Sequence, residues 1–272
     1  MAAAPARATL WATWLGLCAA LGLAACGAPA PLQGFEPGEQ GRVVRVIDGD
    51  ALVLNTGQSV RLVGLEAPAF GRDGDEDAPH AEASKRALED LVLGRQVRLY
   101  YSGMTRDRYD RALAHVQTID RLGPALWVNQ SLVAAGAARV RAYPDTARGS
   151  QALFDAEDQA RQDKQGLWAL RAYAVPDARD TAPDAGGFIL VAGILGERAP
   201  PIFGDAACAR RLMASGITLN VARSAMDVCD LQTGLRVEAR GWLSDGRLSV
   251  NSAKNIRPQG AAAIAAGPAP AR

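Results

Sequence analysis

The sequence is short of three things. Net charge is nearly absent, with 30 lysines and arginines against 29 aspartates and glutamates. No global field therefore draws in a polyanion, and any such binding must come from a local cluster of arginines. An apolar run long enough for a comfortable membrane span is also missing, since the longest candidate, inside the first 25 residues, is too short. Cysteine is scarce, at four residues. What the chain does have is apolar content, 49% of its residues, enough for a packed core and against a disordered or fibrous class.

The first stretch, "MAAAPARATLWATWLGLCAALGLAACGAPAP", carries one positive charge at Arg7, an apolar run, and small residues before Cys26. It reads as an export signal over residues 1–25. "LAAC", ending at Cys26, resembles the lipobox of bacterial lipoproteins, which implies lipidation of Cys26. With Gly27 next, the same pattern leans towards the outer membrane, on its periplasmic or cell-surface side. An ordinary signal peptide that leaves Cys26 as a free thiol is the alternative. Loss of residues 1–25 leaves 29 basic and 29 acidic residues and no transmembrane segment in the mature chain. Cys18 leaves with the signal, so Cys208 and Cys229 remain as a possible disulfide in an oxidising compartment, or as two separate buried thiols.

Residues 26–40 are rich in glycine and proline and read as a tether. From residue 41, alternation around "DGD" and "NTGQ" predicts three antiparallel strands in a meander. A helix over "HAEASKRALEDLVLG", strands over "RQVRLYYSG" and "RYDRALAHVQTID", and two further helices follow. The last helix is expected to start at a Ser150 cap and to stop at Gly166. Strands first and helices interleaved late indicate an α+β domain over 41–172, built on a small β-barrel. Residues 173–187 read as a linker, 188–259 as a smaller β-rich domain compatible with an oligonucleotide-binding-like barrel, and 260–272 as a flexible tail. No internal repeat stands out.

Chemistry concentrates in three pieces of the first domain: "DGD" with Asp48 and Asp50, "RLVGLEAP" with Arg61 and Glu66, and "RDRYDR" with Asp107, Arg108, Tyr109 and Arg111. Each alone is weak, because a DGD turn is common in hairpins and a strand arginine is usually a solvated face. Their order and spacing, followed by "WVNQSLVAAG" and "GLW", resemble the staphylococcal-nuclease (thermonuclease) family over about residues 42–170. That resemblance implies a five-stranded oligonucleotide-binding-type barrel with three helices and calcium-dependent hydrolysis of DNA or RNA, with single strands as the expected partner. It implies Asp50 and Glu66 as metal ligands, with the Ala67 carbonyl beside them and Asp48 in the surrounding shell. It further implies Arg61 and Arg111 as the catalytic arginines, Asp107 as a loop brace, and Arg108 and Tyr109 as phosphate-binding residues. Hard cations take oxygen ligands, and two guanidiniums neutralise charge that builds on a phosphoryl transition state.

Two departures from the family pattern fall in the metal and water half of the site. Glu66 stands where the pattern has an aspartate, and Ala69 stands where its best-known members carry a glutamate general base. Asp73, Asp75, Glu76, Asp77, His80 or Glu82 could supply a substitute, although each is more simply part of a solvated loop. His115, Trp127 and Trp168 read as structural, and Tyr143 only approximates a nucleotide-stacking position. Lys254 and Arg257 end the second domain as a small basic cluster. The rival readings are a non-catalytic phosphate- or nucleic-acid-binding protein and an envelope lipoprotein that binds protein partners.

Overall fold

The structure is a computed structural model that describes residues 32–259, apart from 73, 120, 121, 123, 124, 147, 202, 203 and 205. The export signal, Cys26, the first part of the tether, Asp73 and the tail lie outside the described residues. The first half runs β1 (Glu36–Asp48), β2 (Ala51–Leu54), β3 (Ser59–Leu62), β4 (Leu65–Glu66), α1 (Ala81–Val92), β5 (Gln96–Tyr101), β6 (Ala112–Thr118), α2 (Val128–Ala134), β7 (Arg139–Val140) and α3 (Ser150–Gln162). Five strands close into a barrel in the order β1-β2-β3-β6-β5, with β3 and β6 parallel. Alternate apolar residues fill it, including Leu52, Val60, Leu62, Leu99 and Val116, and Leu88, Leu132 and Leu153 of the three helices pack against them. The two-residue strands β4 and β7 pair outside the barrel, setting Glu66 opposite Arg139.

Three local expectations change here. The tether ends before residue 40, because Leu32 is buried in the core and Glu36 already pairs with Tyr101 of β5. Ser150 does not cap α3: Gly149, at φ 77°, takes that position and the buried Ser150 hydroxyl has no partner among the described residues. A left-handed cap suits glycine, which has no Cβ to clash. The helix stops at Gln162 rather than Gly166, which instead opens a short 3-10 turn against Gly136.

The second half contains β8 (Gly187–Ala199), β9 (Ala206–Leu212), β10 (Thr218–Ala222), a 3-10 segment (Arg223–Asp230), β11 (Arg236–Ser244), β12 (Arg247–Val250) and β13 (Ile256–Pro258). Its sheet order is β12-β10-β9-β8-β11-β13, and additional β11–β12 pairing closes a five-strand ring around a separate core. The first, second, third, fifth and fourth strands of this ring are neighbours in that order, with the third and fifth parallel, as in the first barrel. The architecture is thus α+β, an oligonucleotide-binding-type barrel with helices followed by a smaller β-rich barrel. Cys208 and Cys229 form a disulfide, with Cα atoms 6.0 Å apart, that ties β9 to the 3-10 segment. Buried Arg210 donates to the carbonyls of Val228, Cys229 and Leu231 in the same place, so its charge is met by backbone dipoles.

The joint between the barrels is ionic. On β11 the apolar Val237, Ala239 and Leu243 face their own core, while Glu238, Arg240 and Trp242 alternate to the face that meets the first domain. Arg240 is fully buried, donates to the Val140 carbonyl at 2.9 Å and to Glu238 at 2.6 Å, and lies 2.8 Å from buried Glu157 of α3. Arg161 pairs with Glu238 at 2.7 Å, and Arg257 forms a bidentate pair with Asp158. Arg257 therefore clasps the two barrels rather than offering a free basic end. The 173–187 segment is docked as well: Ala178 is buried, and the Tyr173 hydroxyl donates to the Pro79 carbonyl at 2.6 Å.

Candidate active site

Gly49 explains how two distant motifs meet. A Cβ there would sit 2.7 Å from the Cβ atoms of both Ala67 and Ser84, so only glycine lets the Asp48–Asp50 turn press against the residues after β4. Asp48 Oδ1 accepts from the Asp50 amide at 3.0 Å, which shapes the turn, and Asp50 Oδ2 accepts from the Ala67 amide at 2.9 Å. Asp50 is 2% exposed. Arg61 Nη1 lies 3.0 Å from Asp50 Oδ1, and Arg61 Nη2 donates to Glu66 Oε2 at 3.0 Å. One guanidinium thus bridges two carboxylates from different segments.

The register of β3 and β6 adds the second arginine. Arg61 pairs with Leu113, and Arg111 stands two residues earlier, immediately before β6, so the strand alternation carried on by one residue sets it on the side of Arg61. Asp107 fixes the loop before β6: its Oδ1 accepts from the amides of Tyr109 and Arg111, and its Oδ2 accepts from Arg111 Nε at 2.7 Å. Burial alone would raise the Asp107 carboxyl, but the Arg111 side chain and these amides outweigh it and hold it below its ordinary value. Arg108 donates to the Tyr109 hydroxyl at 2.7 Å, and that tyrosine is 65% exposed. Arg108 and Tyr109 form an exposed lip beside Arg111, whose guanidinium lies 5.7 Å from the Tyr109 ring.

Arg141 is the site residue that sequence reasoning missed. It donates to Glu66 Oε2 at 2.8 Å, so this one oxygen receives two guanidiniums. The extra methylene of Glu66 relative to aspartate is matched by this second cation. The fold brings it there: Arg141 lies two residues beyond Arg139, the strand partner of Glu66.

Burial pushes the Asp50 carboxyl well above the usual carboxylate range. Arg61 opposes that shift, while Asp48 and Glu66 add to it. Asp50 Oδ1, although close to Arg61, has no aligned hydrogen-bond donor. A buried, under-satisfied oxygen beside a second carboxylate suits a hard divalent cation. Among the described residues no three acidic, histidine or cysteine side chains converge as ligands. Such a cation would therefore draw its remaining ligands from water, backbone or substrate oxygens.

The loop after Ala69 folds back on itself. Ala69 is exposed and its carbonyl accepts from the Ala78 amide, Asp77 accepts from the Gly71 amide, and Glu82 pairs with Arg86. Asp75 and Glu76 are exposed, and no hydrogen bond or ion pair among the described residues links this loop's acids or His80 to Asp50 or Glu66. His115 is buried, accepts from the Trp127 indole at 3.3 Å, and burial pushes its pKa down to about 3. A histidine held neutral inside the core is a packing residue, as is Trp127.

Comparison with known proteins agrees with this arrangement. Residues 59–170 match the family described as staphylococcal nuclease homologue. An uncharacterized endonuclease of Escherichia coli is 37% identical over 132 residues, covering 47% of this chain and 76% of that protein. The thermonuclease of Staphylococcus hyicus is 28% identical over 131 residues, covering 47% and 75%, and that of Staphylococcus intermedius is 29% identical over 134 residues, covering 48% and 77%. With its barrel, its paired carboxylates and its two outward arginines, this chain belongs to the staphylococcal nuclease family.

Proposed function

We propose that the protein hydrolyses phosphodiester bonds of DNA or RNA, as a calcium-dependent nuclease acting on single strands. The observation that carries this reading is the Arg61 guanidinium shared by Asp50 and Glu66, with Arg111 on the same side of the barrel. Asp50 and Glu66 would hold the cation, aided by the Ala67 carbonyl and with Asp48 shaping the turn. When bound, the ion would supply Lewis-acid polarisation of the phosphoryl group and a more acidic water. Arg61 and Arg111 neutralise charge on the phosphate oxygens, and Asp107 keeps Arg111 aimed. Arg108 and Tyr109, on the exposed lip beside Arg111, would hold a terminal phosphate, as the family resemblance implies.

Ala69 limits the rate in this reading, because no carboxylate at that position takes the proton of the attacking water. A general base contributes about 10²–10⁴ in rate, less than the whole of cation and arginine stabilisation. Slow turnover is the consequence. Ala69→Glu should raise the hydrolysis rate of a fluorescent oligonucleotide by about 10² or more; an unchanged rate would mean that water is not activated from this side. A second reading, phosphate binding without turnover, is favoured by Ala69 together with the double pairing of Glu66.

We also propose export and anchoring through a lipidated Cys26 at the outer membrane, on the sequence pattern alone. No described helix is long and apolar enough to cross a membrane. Mass measurement of the membrane-extracted protein, beside Cys26→Ser, tests the anchor.

A further inference from the structure

We propose that the second barrel supplies part of the nucleic-acid site: Trp242 is a stacking platform for a substrate base, and Arg139 and Arg141 hold the adjoining backbone. This rests on the nuclease reading of the neighbouring centre and extends it beyond the family domain, which ends at residue 170.

Trp242 lies towards the C-terminal end of the β11 face that docks on the first domain. Glu238 and Arg240 on that face are consumed by ion pairs, whereas Trp242 remains 48% exposed. Its cross-strand partner is Phe188 of β8, on the same face. The Arg141 guanidinium lies 5.6 Å from the Trp242 ring, 5.3 Å from Phe188 and 4.9 Å from Tyr143. Two side-chain contacts, Trp242 to Arg141 and Arg141 to Glu66, therefore connect an exposed indole to the proposed scissile centre.

Arg139 points to the same occupant. It lies 5.1 Å from the Tyr173 ring and 4.9 Å from Phe188, and its buried Nε has no hydrogen-bond partner among the described residues. No ion pair of Arg139 is found among the described residues either. A cation with Glu66 and Glu157 acting on it only beyond ion-pair distance, set among aromatic rings beside a phosphodiesterase-like centre, is suited to a polyanion that also carries flat bases. Aromatic faces stack bases of any sequence, and guanidiniums track the backbone, which is the physical basis of single-strand binding. A protein partner would leave the orphaned Arg139 Nε and the contact of Arg141 with Glu66 unused.

The test compares the full chain with Trp242→Ala and Trp242→Phe on thymidylate oligomers of two and eight nucleotides. Stacking on Trp242 predicts that Trp242→Ala lowers the ratio of kcat/KM for the longer over the shorter substrate by about tenfold, through KM, and that Trp242→Phe largely restores it. Fluorescence anisotropy of a labelled octathymidylate, read in chelator where no cleavage occurs, should show about tenfold weaker binding by Trp242→Ala and rescue by Trp242→Phe. A wild-type ratio together with wild-type affinity in Trp242→Ala overturns the proposal. If the wild-type protein cleaves neither oligomer, the nuclease reading falls, and the anisotropy arm alone decides the stacking site.

Discussion

Arg61→Ala is expected to lower single-turnover hydrolysis of an oligonucleotide by about 10²–10³, the scale of removing one aimed donor from a charge-stabilising site. Two effects combine. On the proposed reading the phosphate loses a guanidinium donor, and Asp50 and Glu66 lose the guanidinium that bridges them at 3.0 Å. Asp50 is buried, so without Arg61 its carboxyl has still more reason to hold a proton than burial already gives it. A protonated Asp50 is a poorer ligand for a hard cation.

Arg61→Lys separates rate from folding. Lysine keeps a positive charge beside Asp50 but cannot reach two carboxylates in a planar fork. It should unfold in urea near the wild-type midpoint while its rate stays well below wild type. A lysine variant with full activity would mean that a point charge suffices and that the bridging geometry is incidental.

The second large effect lies away from the chemistry. Arg240→Leu should destabilise the chain by about 3–5 kcal/mol, because removing one member of a buried ionic cluster leaves the others uncompensated. Glu157 and Glu238 would then rely on Arg161, which already reaches both, at 3.4 Å and 2.7 Å. The Val140 carbonyl would lose its Arg240 donor as well. Burial alone would raise the Glu238 carboxyl, yet Arg161 and Arg240 outweigh it and hold it below its ordinary value of 4.5. The stabilising contribution of Glu238 is therefore present above about pH 4.5 and fades as pH falls below it. Replacing Arg240, Glu157 and Glu238 together by leucine should recover much of the loss, since the desolvation penalty disappears with the charges. Urea unfolding read by circular dichroism decides: an unchanged midpoint and slope for Arg240→Leu would mean that the barrels do not depend on this cluster.

Much of the first barrel is written in residues 41–62, where short β-branched and apolar runs are separated by turns that carry Asp-Gly and Thr-Gly. Asp50 and Arg61 could likewise be read together, because the meander sets Ala51 opposite Arg61, whereas Glu66, on β4 outside the barrel, is reached through the family resemblance. Arg141 could not be read. Its contact with Glu66 spans 75 residues and depends on β4 pairing with the two-residue strand β7, which is too short to leave a periodic signal.

The joint was hidden for a different reason. Glu238, Arg240 and Trp242 occupy the polar phase of a strand, and that phase normally means water; here it means another domain. The 173–187 segment has the glycine and proline content of a free linker, but Ala178 and Tyr173 anchor it, and a single small buried residue is invisible in composition. The repeated barrel connectivity also left no repeat in the sequence. The two rings share only an order of short strands, and many apolar residues satisfy each position.

The measurement closest to the central claim is the initial rate of hydrolysis of a fluorescent single-stranded oligonucleotide by the full chain across a calcium titration, beside Arg111→Ala. The account predicts cleavage that rises with calcium, stops on chelation and falls by about 10² or more in the variant. Cleavage no greater than that of Arg111→Ala at any calcium concentration would contradict it, and would make Ala69 the mark of a centre that binds phosphate without breaking it.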